Sequence, residues 1–502
     1  MNAALLLLTA LAATAAGEAP ARRMPDTSKM NVLLIDIEDT NAGALACYGN
    51  PICKTPNLDR LAATGVRFDA AYVQAVCCNP SRTSFLTGLR PWTTRVTSNG
   101  HVMNEHLPPG VLTLPEMLKA KGFYLADVGK LFHRLDYAER QMRLFDRIEM
   151  HEKPQGWQGP GPILTFPPLP KARRGEPPPR DEKSKAFRQW RTRQSDRYGD
   201  SGLEREQERD YRMAMTAAAL LKEFARTKQQ FFLAVSQSRP HTPLICPKKY
   251  IEMYNPERIP MPPAPAEKCV NFPYPKRAAG GNPDIFTQKQ PTPQQVREAI
   301  AAYYACVSFV DDNIGLVLEA LEREGLAANT IVIFLGDHGF HLGDHGFWSK
   351  YSMLEQTRRA PLLVRVPGAP ANGQACREIV EFVDLVPTLG ELVRLDLPGN
   401  LEGTSFVPLL VKPERPWKKA MFLVEDDGDG LGEVVRTKKY SYMEFQKRGA
   451  IPAALYDLEK DPWETINVVD DPAYAAVRKE MADLLHAGWK AALPPAQAAR
   501  PR

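Results

Sequence analysis

Four apolar, β-branched runs in this chain each stop abruptly at side chains that do chemistry. Asn31-Val-Leu-Leu-Ile35 runs into Asp36, Glu38 and Asp39, and Gly122-Phe-Tyr-Leu-Ala-Asp-Val128 leads to Lys130 and His133. Phe231-Phe-Leu-Ala-Val235 leads through Arg239-Pro240 to His241, and Thr330-Ile-Val-Ile-Phe-Leu335 ends on Gly336-Asp337-His338. Runs of this kind, alternating with helical patterns, predict an α/β fold on a doubly wound sheet flanked by helices. In such open sheets ligands sit in the crevice beyond the carboxyl ends of the strands. The four strand ends therefore deliver Glu, Asp, Lys and His to one place.

A chain of 502 residues is long for a single core, which suggests one large domain and a smaller one. The pattern changes after about Leu395, so a large domain over 30–395 and a C-terminal α+β unit over 396–502 are expected. In the latter, Val434–Phe445 alternates as one strand, Leu455–Pro462 reads as a strand into a turn, and Ala475–Leu493 as a helix. Two Pro-rich segments, about 153–185 and 255–293, read as long loops, either functional lids or surface decoration. Hydrophobic residues make up 44% and charged residues 25%, an ordinary globular balance. The net charge of +5 is spread along the chain, which argues against a nucleic-acid partner. Residues 1–17 (MNAALLLLTALAATAAG) resemble a secretory signal peptide, although no Lys or Arg precedes the apolar run. No later segment suggests an integral membrane span, so export to the periplasm or outside the cell is the expectation.

Carboxylates at Glu38, Asp39 and Asp337 are hard oxygen ligands suited to Ca²⁺ or Mg²⁺. Gly-Asp-His-Gly-Phe occurs at 336–340 and again at 343–347. Only the first copy follows a strand directly, which selects Asp337 and His338 as ligands. His341, Asp344 and His345 lack the further ligands a zinc site needs. Arg82, Lys130, His133, His241 and Lys350 form a cationic set able to bind an oxyanion and stabilise charge during its transfer. Trp92, Arg95 and Trp348 are candidates for shaping a sugar pocket. The eight cysteines are an even number, which in an exported protein invites disulfides. Cys77 and Cys78 are adjacent, and vicinal disulfides are strained. A helix beginning after Cys78 would aim backbone N–H groups at an anion.

Cys78-Asn-Pro-Ser-Arg82 followed by Leu86-Thr-Gly88 matches C-x-P-S-R-x-x-x-L-T-G, the signature of type I (formylglycine-dependent) sulfatases. The resemblance runs from Asn31 to about Asn467 and is nearest to iduronate-2-sulfatase-like enzymes. It is carried by Ala75–Arg82, Arg90–Arg95, Gly129–His133, Arg239–Pro243, Gly346–Tyr351 and Tyr456–Pro462. It implies an alkaline-phosphatase-like mixed sheet with an antiparallel sheet in the C-terminal unit, and one divalent cation, Ca²⁺ or else Mg²⁺. It also implies a maturation enzyme that converts Cys78 to formylglycine (3-oxoalanine), so that the sulfur is discarded and Cys77 is merely a neighbour. The aldehyde hydrate attacks sulfur, the alcohol leaves, and the second hydroxyl expels sulfate by re-forming the aldehyde.

Position by position, the resemblance makes Glu38, Asp39, residue 78, Asp337 and His338 the metal ligands. Arg82 and Lys130 would support the formylglycine, and His133 would take a proton from the hydrate. His241 and Lys350 would hold the sulfate, one of them protonating the leaving oxygen. Glu38 stands where the family usually has aspartate. Its extra methylene leaves two options, a shifted ligand geometry or part of the task passing to Asp36. The expected substrate is a sulfated saccharide, a glycosaminoglycan or a related polysaccharide. Two rivals stay open: a phosphonate or phosphate ester hydrolase with the same nucleophile, and a non-catalytic, disulfide-stapled carbohydrate-binding protein.

Overall fold

A computed structural model describes residues 23–495 except 135, 151–152, 169–178, 180–183, 275–283, 288–289, 427–430 and 447–452. The signal reading of 1–17, and much of the first Pro-rich segment, lie outside these residues. The main sheet holds β1 (Asn31–Ile37), β2 (Val66–Phe68), β4 (Tyr124–Val128), β5 (Arg147–Glu149), β7 (Phe231–Gln237), β9 (Thr330–Gly336), β10 (Leu362–Arg365) and β11 (Ala375–Cys376). Their spatial order is β11-β2-β10-β9-β1-β7-β4-β5. β1 is central and parallel to both β7 and β9, β4 is parallel to β7 and β5, and β10 is antiparallel to β9 and β2. Two short pairs, β3 (Ala71–Tyr72) with β12 (Val380–Glu381) and β6 (Tyr198–Asp200) with β8 (Leu244–Cys246), complete this part.

The central strands are apolar along their length because both faces are covered. Val32 and Leu34 of β1 join one core with Ile331, Ile333 and Leu335 of β9. Leu33, Ile35 and Ile37 join the other with Val332 and Phe334. That second face is covered by the helices Arg209–Thr227 and Pro293–Arg323. Among the described residues, Pro293–Arg323 alone has the length and hydropathy of a membrane span, in contrast to the reading that no segment after the leader approaches one. Its apolar window is 83% buried inside the fold, so its composition reflects a core position.

The C-terminal unit is the antiparallel sheet β13 (Ala420–Asp426), β14 (Leu431–Thr437), β15 (Tyr440–Phe445) and β16 (Ala453–Asp457), backed by the helix Ala475–Ala487. The single strand expected over Val434–Phe445 is instead a hairpin. Arg436 pairs with Ser441, and the chain turns at Lys438-Lys439. The alternation survives the turn because the strands on either side bury the same faces, and two lysines carry no glycine-type turn signal. The final helix stops at Ala487, and Gly488 precedes a short 3₁₀ turn, Trp489–Ala492.

Buried ion pairs lock this unit to the main sheet. Arg358, fully buried, lies 2.6 Å from Glu464 and 2.9 Å from Glu355, and donates to the Ser441 hydroxyl at 3.1 Å. Removing one partner of such a network leaves a buried charge uncompensated. Arg358→Met should therefore cost about 3–5 kcal/mol of unfolding free energy by denaturant titration, and adding Glu464→Gln should restore part of the loss.

Candidate active site

The ends of β1, β4, β7 and β9 lie side by side, with Ile37 in register with both Gly336 and Gln237, and Val128 with Val235. The signature forms the helix Cys78–Thr87, with Cys77 extended as its N-cap and Gly88 ending it at φ 69°. That left-handed turn, and atoms of Leu401 and Val386 at 3.0 and 3.1 Å from where a Cβ would lie, require glycine at position 88. All ten helical residues are buried. Two of its polar residues tie it to its surroundings: the Ser81 hydroxyl donates to the Asp337 carbonyl, and the Asn79 backbone N–H donates to Asn99 Oδ1 at 2.8 Å.

At the mouth of this helix Cys78 Sγ lies 3.3 Å from His338 Nε2 and 3.7 Å from Lys350 Nζ. Asp39 completes the cluster. Its carboxylate is 3.4 Å from His338 Nε2 and accepts from Lys350 Nζ at 2.8 and 3.1 Å. His241 Nε2 lies 3.8 Å from the same carboxylate. Asp39 adopts φ 53°, a left-handed conformation uncommon outside glycine. It is held there by its N–H on Asp337 Oδ1 (3.0 Å) and by the Tyr303 hydroxyl, which donates to its carbonyl at 2.6 Å. Asp337 Oδ1 in turn is 3.6 Å from His338 Nε2.

Asp39, Cys78 and His338 present donor atoms within 4.8 Å of one another, and Asp337 adjoins them. His338 Nδ1 faces the Gly339 carbonyl at 2.9 Å and keeps a proton there. Burial would lower this imidazole, but Asp337, Cys78 and Asp39 raise it to about 9, so Nε2 would have to give up its proton to bind a cation. With oxygen in place of the Cys78 sulfur, the set would be oxygen-rich with one imidazole, which fits a divalent cation.

The remaining expected residues fall around this cluster. The Arg82 guanidinium binds the ends of the strands. Its Nη2 is 2.8 Å from Asp36 Oδ1 and 3.1 Å from Asp337 Oδ2, and Nη1 donates to the carbonyls of Lys130 and Leu131. It thus ties together the ends of β1, β4 and β9. Glu38 faces Lys130, with Oε2 2.7 Å from Nζ, and stands outside the tight donor cluster. Asp36 is held by Arg82 and by the Ser236 hydroxyl, 2.5 Å from Oδ2. Burial and then Lys130 push His133 down to about 3, so its imidazole is neutral, and its Nδ1 has no hydrogen-bond partner. Burial alone would depress the Lys350 ammonium, yet Asp39 and other acidic neighbours hold it well above the usual lysine range. Burial alone would likewise raise Asp337, but His338, Arg82 and Lys350 keep it below the carboxylate range.

Several supporting residues carried little sequence signal. Tyr303 sits mid-helix, and Asp284 sits in the second Pro-rich segment, buried with Oδ2 unpartnered and close enough to Lys350 to raise its pKa. That segment is more than decoration: Phe286 packs edge-on against Trp348 at 5.0 Å, and the Tyr274 hydroxyl accepts from Met353 N–H. Trp348 is 1% exposed, so it is core and presents no face to a sugar. Trp92 is exposed and donates to Glu433. All eight cysteines are unpaired thiols, so the disulfide framework their even number invited is not formed.

A family model described as "Sulfatase" matches residues 30–395, and one for the C-terminal region of N-sulphoglucosamine sulphohydrolase matches 343–490. The chain belongs to the sulfatase family. As a sulfatase it is a sulfuric ester hydrolase. It is 31% identical over 478 residues to a sulfatase of Formosa agariphila, covering 93% of this chain and 89% of that one. It is 29% identical over 471 residues to mouse iduronate 2-sulfatase, covering 84% and 80%. Its fold is shared with a phosphonate monoester hydrolase of Agrobacterium radiobacter, with TM-score 0.71, 24% identity, and 91% and 95% of the two chains covered.

One carboxyl of this sulfatase gives a clean pH signature. Asp127, on β4 behind Arg82, is buried with Oδ1 unpartnered, and burial, then Asp36, raise it from 3.8 to about 8. A carboxyl whose folded pKa is raised contributes stability below its unfolded pKa and loses it as pH rises through the folded value. Melting temperatures between pH 4 and 9 should therefore fall more steeply for the wild type than for Asp127→Asn, and parallel curves would contradict the assignment.

Proposed function

We propose that this sulfatase removes sulfate from a sulfated sugar, of the iduronate-2-sulfate type, using a formylglycine made from Cys78 by a maturation enzyme, and that it acts as an exported protein. The observation that carries this is the position of Cys78: first residue of a buried helix, its Sγ within 4 Å of both His338 and Lys350. The likeness to iduronate 2-sulfatase supports the substrate class. The sulfur marks where an oxygen nucleophile would stand, since a hard cation is poorly served by a thiol.

Asp39, Asp337 and His338 are the residues that would hold a divalent cation, with Glu38 adjoining through Lys130. When present, the cation supplies charge neutralisation among the carboxylates, and formylglycine supplies a hydroxyl nucleophile with a second hydroxyl for release of sulfate. The chain's own groups do the rest. Lys350 and Lys130 remain ammonium ions and offset the charge of a sulfate at the helix mouth. His133 stays neutral, with Nδ1 unpartnered, because burial and Lys130 oppose its taking a full positive charge. His241 turns Nδ1 to the Thr242 carbonyl at 2.9 Å, leaving Nε2 as the atom that gives a proton to the departing oxygen. Arg82 positions rather than reacts, fixing Asp337 and the Lys130 backbone.

A phosphonate monoester hydrolase is the second reading, because that activity is named for a protein of the same fold. Turnover of an aryl sulfate and of an aryl phosphonate monoester by the matured protein separates the two. The sulfate should show the higher kcat/KM, and a phosphonate preference would overturn the sulfatase reading. Lys350→Ala should lower kcat/KM for the sulfate by roughly 10²–10³, the loss expected of one charge-stabilising donor.

A further inference from the structure

A cleft of about 550 Å³ lies between the second Pro-rich segment, the stretch before β10, and the C-terminal sheet. Met261, Pro262 and Trp463 are among its lining residues. Arg359, Arg436 and Lys438 also line it, as do the acidic Asp344 and Glu355. None of these belongs to the site around Cys78.

The cleft opens at the same edge of the sheet as that site. Arg359 precedes β10, whose first residue, Leu362, pairs with Leu335 at the end of β9, one residue before Gly336-Asp337. The turn Gly343–Phe347, between His338 and Lys350, also packs on the cleft wall. His345 N–H donates to the Ala264 carbonyl at 2.5 Å, and His345 Nε2 meets the Trp463 carbonyl at 2.8 Å. Gly343 fits against Pro262 so closely that a Cβ there would lie 2.8 Å from Pro262 Cγ. The loop that supplies His338 and Lys350 is thus built into the wall of the second cavity.

The lining fits an anionic sugar. Trp463 is 41% exposed and Met261 40%, and an exposed indole offers apolar ring surface to a pyranose. Of the cations in the same lining, Arg359 is about one-third exposed and Lys438 just over half, near enough to solvent to meet a sulfate or carboxylate. Glu355 holds Arg358, Arg359 and Arg436 together, and Glu378 pairs with Lys438 at 2.6 Å. Arg436 Nε is itself the atom 3.5 Å from Glu355 Oε2. The volume lies within the range of small-ligand sites.

We propose that this cleft is a second, non-catalytic saccharide subsite that holds a sulfated or uronic sugar unit of the polymer whose sulfate ester is cleaved at position 78. This rests on a sulfated saccharide being the substrate. A polymer engaging both places is retained near the nucleophile through effective concentration rather than through new contacts at the reacting sulfate.

The test pairs two readouts on matured protein, comparing wild type with Trp463→Ala and, independently, Lys438→Ala. Turnover of 4-nitrophenyl sulfate reports the catalytic site alone. Calorimetric titration with heparin di- and hexasaccharides reports the cleft. Trp463→Ala, melting as the wild type does, should leave aryl sulfate kcat/KM unchanged and weaken hexasaccharide binding about tenfold, with disaccharide binding unaltered. Lys438→Ala should weaken the hexasaccharide in the same sense, and it serves alone if Trp463→Ala does not fold. Equal hexasaccharide affinity for variants and wild type, or wild-type affinity that does not rise with length, overturns the subsite. Absence of aryl sulfate turnover in the wild type would instead count against the proposed activity, and the titrations would still judge the cleft.

Discussion

Four carboxylates are taken out of water at the ends of two neighbouring strands, and everything around the site follows from the need to offset them. Asp36, Glu38, Asp39 and Asp337 are all essentially buried. An isolated buried carboxylate is costly enough that it protonates or finds a cation. Here each has one: Arg82 serves Asp36 and Asp337, Lys130 serves Glu38, and Lys350 serves Asp39. The cations come from the signature helix, from the loop after β4 and from the loop after β9. The charge balance therefore fixes three separate segments against one edge of the sheet. Asp127, which lacks a hydrogen-bond partner at Oδ1, shows the alternative outcome, a carboxyl that stays protonated.

The signature helix derives its place from the same constraint. Phe85 and Leu86 anchor its C-terminal half in the core, while its polar N-terminal half has no hydrophobic reason to be buried. Arg82 and Ser81 bind it to Asp36 and Asp337, and the left-handed Gly88 ends it against Val386 and Leu401. Its first residue then has one position available, against His338 and Lys350. Cys77, one residue earlier, is the extended N-cap and is buried. Two adjacent cysteines thus occupy chemically different surroundings, because the helix begins between them.

Much of this was legible in the sequence. The runs at Asn31, Phe231 and Thr330 gave strands, and the polar residues following them meet at one edge of the sheet, because parallel strands buried on both faces are continuous in hydrophobicity and stop where burial stops. What escaped were features set by contacts distant in sequence. Nothing local marks Tyr303, inside a 31-residue helix, as the support for Asp39. The hairpin at Lys438-Lys439 is dictated by the sheet rather than by turn chemistry. Trp348, beside the Lys350 motif, was a plausible sugar platform until Phe286 was found packed on it. Nor does anything local show that the Arg82 guanidinium reaches both Asp36 and Asp337, or that Glu38 pairs with Lys130.

The chemistry attributed to position 78 has one decisive readout: the mass of the proteolytic peptide carrying Cys77 and Cys78, from protein made in a host able to mature sulfatases. Exchange of one sulfur for oxygen with loss of two hydrogens, located at residue 78 with Cys77 intact, is the expected result. Two unmodified cysteines in protein that turns over sulfate esters would contradict a formylglycine nucleophile.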